Sequence, residues 1–178
     1  MEALIRAARA ENYPAKIVLV ISNKQGVGGL EKAKKHGIKT ICIDHKNYSS
    51  RKSFEKVMDK VLRQHQIELI CNAGFMRILS PWFVERWRGR QLNIHPSLLP
   101  KYKGLNTHAR VLKSGETEHG CTVHFIDEGM DTGDIIAQAK IPVHKNDTAR
   151  TLAARVLAQE HLLYPKVLRQ IAKNVLEP

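Results

Sequence analysis

Four short apolar runs mark the first half of the chain, at residues 15–22, 40–44, 68–72 and 91–95. The first three are rich in Ile, Leu and Val, and uninterrupted runs of that kind predict buried parallel strands. Helical spacing lies between them. It is clearest over 51–65, where Phe54, Val57, Met58, Val61 and Leu62 recur at three- and four-residue intervals and Ser49 or Ser50 can cap the start. Strand–helix alternation of this kind predicts an α/β fold, an open and mostly parallel sheet with helices on both faces. Farther along, 106–113 reads as a helix. Residues 119–125 and 134–141 read as strands around the Gly- and Asp-bearing segment 126–133. A last helix is expected to start near Asp147, which with Thr148 can cap it, and Leu152, Val156, Leu163, Val167 and Ile171 supply its apolar stripe.

At 178 residues and 43% hydrophobic content, the chain is expected to form one domain over 1–178 around a single core. Its 29 Lys and Arg against 17 Asp and Glu give a formal charge of +12, which favours anionic partners. The basic residues are spread through most segments rather than gathered in a run or on one face, which argues against a nucleic-acid reader and for a solvated basic surface. Cys42, Cys71 and Cys121 form no CxxC or Cys/His metal spacing and sit in apolar, strand-like runs. They are expected to be buried, reduced thiols, as suits a cytoplasmic protein. No segment approaches the ~20 apolar residues of a membrane helix, so no membrane partner is expected. Gly26, Gly28 and Gly29 lack the GxGxxG spacing of a dinucleotide site, and a strand-to-helix turn accounts for them.

The densest chemistry lies in Asn93-Ile94-His95-Pro96-Ser97-Leu98-Leu99-Pro100. Alternation along a strand sends Asn93 and His95 to one face, and Pro96 ends the strand. Ligands of open α/β sheets bind at such carboxyl ends. An Asn amide can donate to a developing oxyanion, and a His can move a proton between an attacking amine and a leaving group. Neither service needs a metal. A strand-end pair that only satisfies backbone groups is the competing reading. Asp131, between Gly129 and Gly133, lies on a loop suited to closing over a ligand, and a carboxylate beside His95 would favour the imidazolium. His124, on the preceding strand, could support the site or be a satisfied core histidine. Asp127, Glu128 and Asp134 read as solvated turn carboxylates.

With Gly74-Phe75-Met76-Arg77-Ile78-Leu79 upstream and Gly120-Cys121-Thr122-Val123-His124-Phe125 downstream, the Asn93–Pro100 motif closely resembles the glycinamide ribonucleotide formyltransferases of purine synthesis. The resemblance runs from about residue 3 to 165. It implies a Rossmann-like formyltransferase fold, 10-formyltetrahydrofolate as co-substrate and glycinamide ribonucleotide as acceptor. It also implies a catalytic trio of Asn93, His95 and Asp131, with His95 the proton donor and Asp131 holding it charged. Met76, Arg77, Ile78 and Leu79 would line the folate pocket, where Asn93 also reaches, and Arg51 matches a further folate-contacting arginine. Glu160 matches a glutamate that grips the acceptor's ribose hydroxyls. Read from the residues alone, Phe75, Met76, Ile78 and Leu79 could be core, Arg51 a first-turn surface residue and Glu160 a helix surface carboxylate.

Relative to that family the chain starts inside the first helix. The expectation is therefore an N-terminally truncated domain without the first strand and the phosphate-holding loop, which would chiefly weaken acceptor binding and expose strand edges. A folate-binding relic without turnover is one alternative. Formylation of initiator methionyl-tRNA is another, disfavoured because that enzyme carries a second domain and differs after Pro100, where this chain reads Lys101-Tyr102-Lys103-Gly104-Leu105.

Overall fold

In the computed structural model, which describes residues 1–176, the alternation resolves into six α-helices and six strands, with a short 3-10 helix at His45–Asn47. They are α1 (Glu2–Ala7), β1 (Leu19–Ser22), α2 (Gly28–Lys35), β2 (Lys39–Cys42), α3 (Arg51–Gln64), β3 (Ile70–Asn72), α4 (Pro81–Arg86), β4 (Gln91–His95), α5 (Thr107–Ser114), β5 (Glu118–Phe125), β6 (Ile135–Pro142) and α6 (Ala149–Leu176). Local chemistry sets several boundaries. Ser50 caps α3 by accepting from the Ser53 amide, while the Ser53 hydroxyl accepts from the Ser50 amide. Ser80 caps α4 ahead of Pro81, whose missing N–H is harmless at a first helical position. Thr148 accepts from the Thr151 amide at the head of α6, and Asp147 turns back to the His144 amide and to Arg155.

The strands form two sheets. β1 and β2 pair in parallel, with Leu19 opposite Lys39. β3, β4, β5 and β6 form the second sheet, in which β3–β4 is parallel and the pairs β4–β5 and β5–β6 are antiparallel. The run expected over 15–22 enters a ladder only over its last four residues. A cavity of about 690 Å³, walled by Ile17, Leu19, Ile21, Ile70 and Cys71, lies between the sheets. Among the described residues, β1 and β3 each leave one backbone edge without a partner strand. Cys121 is buried and Cys71 half-buried, but Cys42 is exposed, contrary to expectation, because β2 is the outer strand of its small sheet and Cys42 ends it.

Helices cover both faces of the larger sheet. Ile70 packs with Phe54, Met58, Leu62, Phe83 and Trp87 from the α3 and α4 side. Its neighbours Leu69 and Cys71 join Leu4 of α1 and Tyr164, Val167 and Leu168 of α6, as the two-residue alternation of a strand requires. Val111, Cys121, Ile141, Leu152 and Val156 seat α5 and the front of α6 on β5 and β6. Each large apolar side chain so buried contributes roughly 1.5–3 kcal/mol. On β4, Leu92 and Ile94 enter the α1–α6 cluster and leave Asn93 and His95 on the other face. No described helix is long and apolar enough to cross a membrane.

Candidate active site

Pro96 has no amide hydrogen with which to continue the ladder, and the Ser97 amide turns back onto the His95 carbonyl at 2.9 Å. The segment that follows is stitched to the neighbouring strands. The Leu99 amide donates to Thr122 Oγ1 at 3.0 Å, that hydroxyl donates to the Ser97 carbonyl at 2.6 Å, and Gln138 Nε2 donates to the Leu99 carbonyl at 2.8 Å. This fastening sets the Tyr102 carbonyl 3.0 Å from His95 Nε2.

Register places Asn93 opposite His124, and Asn93 Nδ2 donates to His124 Nε2 at 3.2 Å. His124 Nδ1 in turn donates to the Phe125 carbonyl at 2.7 Å, so the ring is a neutral tautomer whose Nε2 accepts. Burial lowers its pKa and keeps it neutral. One Asn93 amide hydrogen is thereby engaged and the other is left for the cavity.

Asp131 reaches the site from the turn between β5 and β6. The Phe125 amide donates to the Asp134 carbonyl across its base at 2.9 Å, and Asp127 Oδ1 accepts from the Gly129 amide and the Thr132 hydroxyl at 3.1 and 2.7 Å. A side chain at Gly133 would put its Cβ 2.0 Å from the Phe125 carbonyl oxygen, so the turn closes only with glycine there. Asp131 sits at φ 54°, a left-handed conformation that Asp tolerates better than most residues. Its Oδ2 accepts from the Gly104 amide at 2.8 Å and lies 3.3 Å from His95 Nδ1, while Oδ1 is 3.8 Å from His124 Nε2. Both nitrogens of His95 thus face oxygen atoms, Nε2 the Tyr102 carbonyl and Nδ1 the Asp131 carboxylate.

These groups form one wall of a cavity of about 800 Å³, within the usual range of ~300–1,000 Å³ for small-molecule sites. Met76, Arg77, Ile78 and Leu79 line it after β3, and Glu160 lines it from α6. Burial raises the Glu160 carboxyl above its ordinary pKa. Met76, Ile78, Leu105 and Met130 stand 71%, 53%, 63% and 53% exposed, an apolar rim suited to a flat ring. Leu79 is buried and belongs to the core as well. The Arg77 guanidinium lies 6.0 Å over the Phe54 ring, with Nε buried and lacking a hydrogen-bond partner. Arg51 is the sequence-predicted site residue that the fold does not bring in; it is exposed in the first turn of α3 and lines neither cavity.

Sequence reasoning missed the Tyr102 carbonyl and the Gly104 amide, because backbone partners leave no side-chain signal. It also missed His108, which lines the cavity and whose Nδ1 lies 2.9 Å from Nε2 of buried His119. Burial first, then His108 and His95, push His119 down to about 4. One of these histidines is on a helix and the other on a strand, so no periodicity links them.

The formyl transferase family model matches residues 1–168. The trifunctional purine biosynthetic protein adenosine-3 of Gallus gallus is 50% identical over 177 residues, 99% of this chain and 18% of that protein. The phosphoribosylglycinamide formyltransferase of Escherichia coli (strain K12) is 41% identical over 177 residues, 99% of this chain and 84% of the relative. The crystal structure of phosphoribosylglycinamide formyltransferase from Brucella melitensis superposes with a TM-score of 0.93 at 50% identity, covering 97% of this chain and 88% of that one. This chain spans 13% to 18% of the length of the trifunctional proteins it matches.

Proposed function

The chain belongs to the formyl transferase family, and on that premise we propose that it moves a formyl group from 10-formyltetrahydrofolate to the amine of glycinamide ribonucleotide in de novo purine synthesis. The observation that carries this reading is the convergence of Asn93, His95 and Asp131 on one wall of a cavity with an apolar rim. In this reading the free Asn93 amide hydrogen meets the formyl oxygen as the amine adds and negative charge builds there. His95, tied by Nε2 to the Tyr102 carbonyl, offers its Nδ1 proton to the folate nitrogen as the old C–N bond breaks. The acceptor nitrogen, now bonded to the formyl carbon, releases one proton, and Asp131 with water returns it to His95. His124 keeps the Asn93 amide oriented.

Arg77, Met76, Ile78 and Leu79 hold the pterin end of the folate, and Glu160 grips the ribose hydroxyls of the acceptor. Arg51, outside the cavity, meets only a part of the folate that projects beyond it. The domain works in the cytoplasm on two small molecules, without nucleic acid. The test is formyl transfer between the two named substrates, followed by release of tetrahydrofolate and by the mass of the product. Formylated ribonucleotide at micromolar-to-millimolar acceptor supports the reading. Donor binding without any formylated amine would leave a folate-binding relic, and the assignment would fall.

A further inference from the structure

Residues 73–79 line the candidate active-site cavity between β3 and α4, yet Met76 and Ile78 stand exposed and little of their own packing holds them. Two consecutive residues of α3 reach this segment from beneath. Phe54, 2% exposed, carries the Arg77 guanidinium over its ring. Glu55, 0% exposed, accepts from both donors of Ser80, from the backbone amide at 2.8 Å and from the hydroxyl at a shorter distance. The Ser80 hydroxyl is also the cap that accepts from the Phe83 amide. A carboxylate in a core position is costly to bury unless its hydrogen bonds fix something. Here they fix the point where the 73–79 segment ends and α4 begins.

We propose that Glu55 is a positioning residue of the formyl-donor site. It clamps Ser80, and through Ser80 it holds the segment so that Arg77, Met76 and Ile78 meet the donor in one arrangement. This rests on reading the cavity as the site for formyl-folate. Glu55 touches neither substrate, and the groups that carry the chemistry lie on other elements, so its loss should appear in donor binding rather than in turnover.

Glu55→Gln keeps the size but sets an NH2 group against one of the two Ser80 donors. It should raise the KM for 10-formyltetrahydrofolate about tenfold, the scale of one lost charge-assisted hydrogen bond. Its kcat and acceptor KM should stay within about twofold of the parent. Amide hydrogens of 74–80 should exchange faster, with those of β4 and β5 unchanged. Ser80→Ala should act in the same direction, and the double variant should add little to either single one. That pair keeps the test open if one variant folds poorly. An unchanged donor KM with unchanged exchange at 74–80 overturns the proposal, as does a rise in both KM values alike. The exchange arm needs no substrate. A parent chain that fails to transfer formyl therefore sinks the functional reading, while the exchange data still decide whether Glu55 holds the segment.

Discussion

Asp131→Asn separates charge from shape at the centre of the site. The new side chain can still accept from the Gly104 amide, so the β5–β6 turn should stay closed, but the negative charge 3.3 Å from His95 Nδ1 is gone. Two unit charges at that separation interact by about 5 kcal/mol at an effective dielectric constant near 20. An amide in place of the carboxylate keeps a contact but not the charge-assisted hydrogen bond, so about 2–3 kcal/mol of the interaction with His95 should be lost. Since each ~1.36 kcal/mol is a factor of ten, kcat should fall by about 30- to 150-fold. The KM for formyl-folate should stay within about threefold, because Asp131 is assigned to proton supply and not to the pterin. Steady-state kinetics with the donor and the acceptor varied in turn would measure this, with urea unfolding as a control on the turn. An unchanged kcat, or a loss carried wholly by donor affinity, would refute the assignment of Asp131.

His119 makes stability depend on pH. Its folded pKa of about 4 lies below its ordinary 6.5, so below 6.5 the unfolded chain takes a proton that the folded chain refuses. Stability is then full above 6.5 and falls by up to about 3 kcal/mol as the pH drops toward 4. Half-buried His108 and buried His124 are shifted in the same direction. Urea midpoints at pH 7.5 and 5 should show the loss, and His119→Gln should flatten it; equal midpoints in the parent would contradict the burial argument. Gly133→Ala drives a Cβ into the Phe125 carbonyl and should cost about 2–4 kcal/mol in urea unfolding together with most of the activity, since the same turn carries Asp131. Activity and stability near those of the parent would show that the turn relaxes freely. Glu160→Gln should raise the acceptor KM about tenfold and leave the donor KM alone, the weight of one hydrogen bond to a charged group; the reverse split would place Glu160 on the folate side.

Much of this site was readable because its groups obey short-range rules. Asn93 and His95 share a face by strand alternation, Pro96 must end the strand, and Gly129 and Gly133 announce a tight turn around Asp131. The boundaries of α3 and of β4 to β6 fell within one or two residues of expectation for the same reason, since periodicity and a serine cap are local signals. Other features depend on contacts between distant segments. Burial of Glu55 against Ser80 joins residues 25 apart, and neither carries a mark of the other in sequence. Six-residue α4 holds too few turns to show a stripe. The exposure of Cys42 follows from the place of β2 at a sheet edge, which an apolar run cannot reveal.

The division of the strands into two sheets bears on how the site keeps its shape. Asn93, His95 and His124 stand on β4 and β5, Asp131 on the turn that links β5 to β6, and Met76 to Leu79 on the segment leaving β3. All of these belong to the four-stranded sheet, and Glu160 comes from α6, which packs on that sheet. The β1–β2 pair supplies no side chain to the cavity that holds them. Disturbance at the open edge of β1 reaches the trio only indirectly, through α1, whose Leu4 shares a cluster with Leu92, Val123 and Tyr164, and through Ile21, which packs in the cluster of Phe54, Leu79 and Phe83. The groups assigned to the chemistry are braced by the ladders of β3 to β6 and by hydrogen bonds from Thr122, Gln138 and Gly104, each made within that half of the molecule. Local preorganisation of this kind holds Asn93, His95 and Asp131 chiefly through β3 to β6 rather than through pairing at the edge of β1.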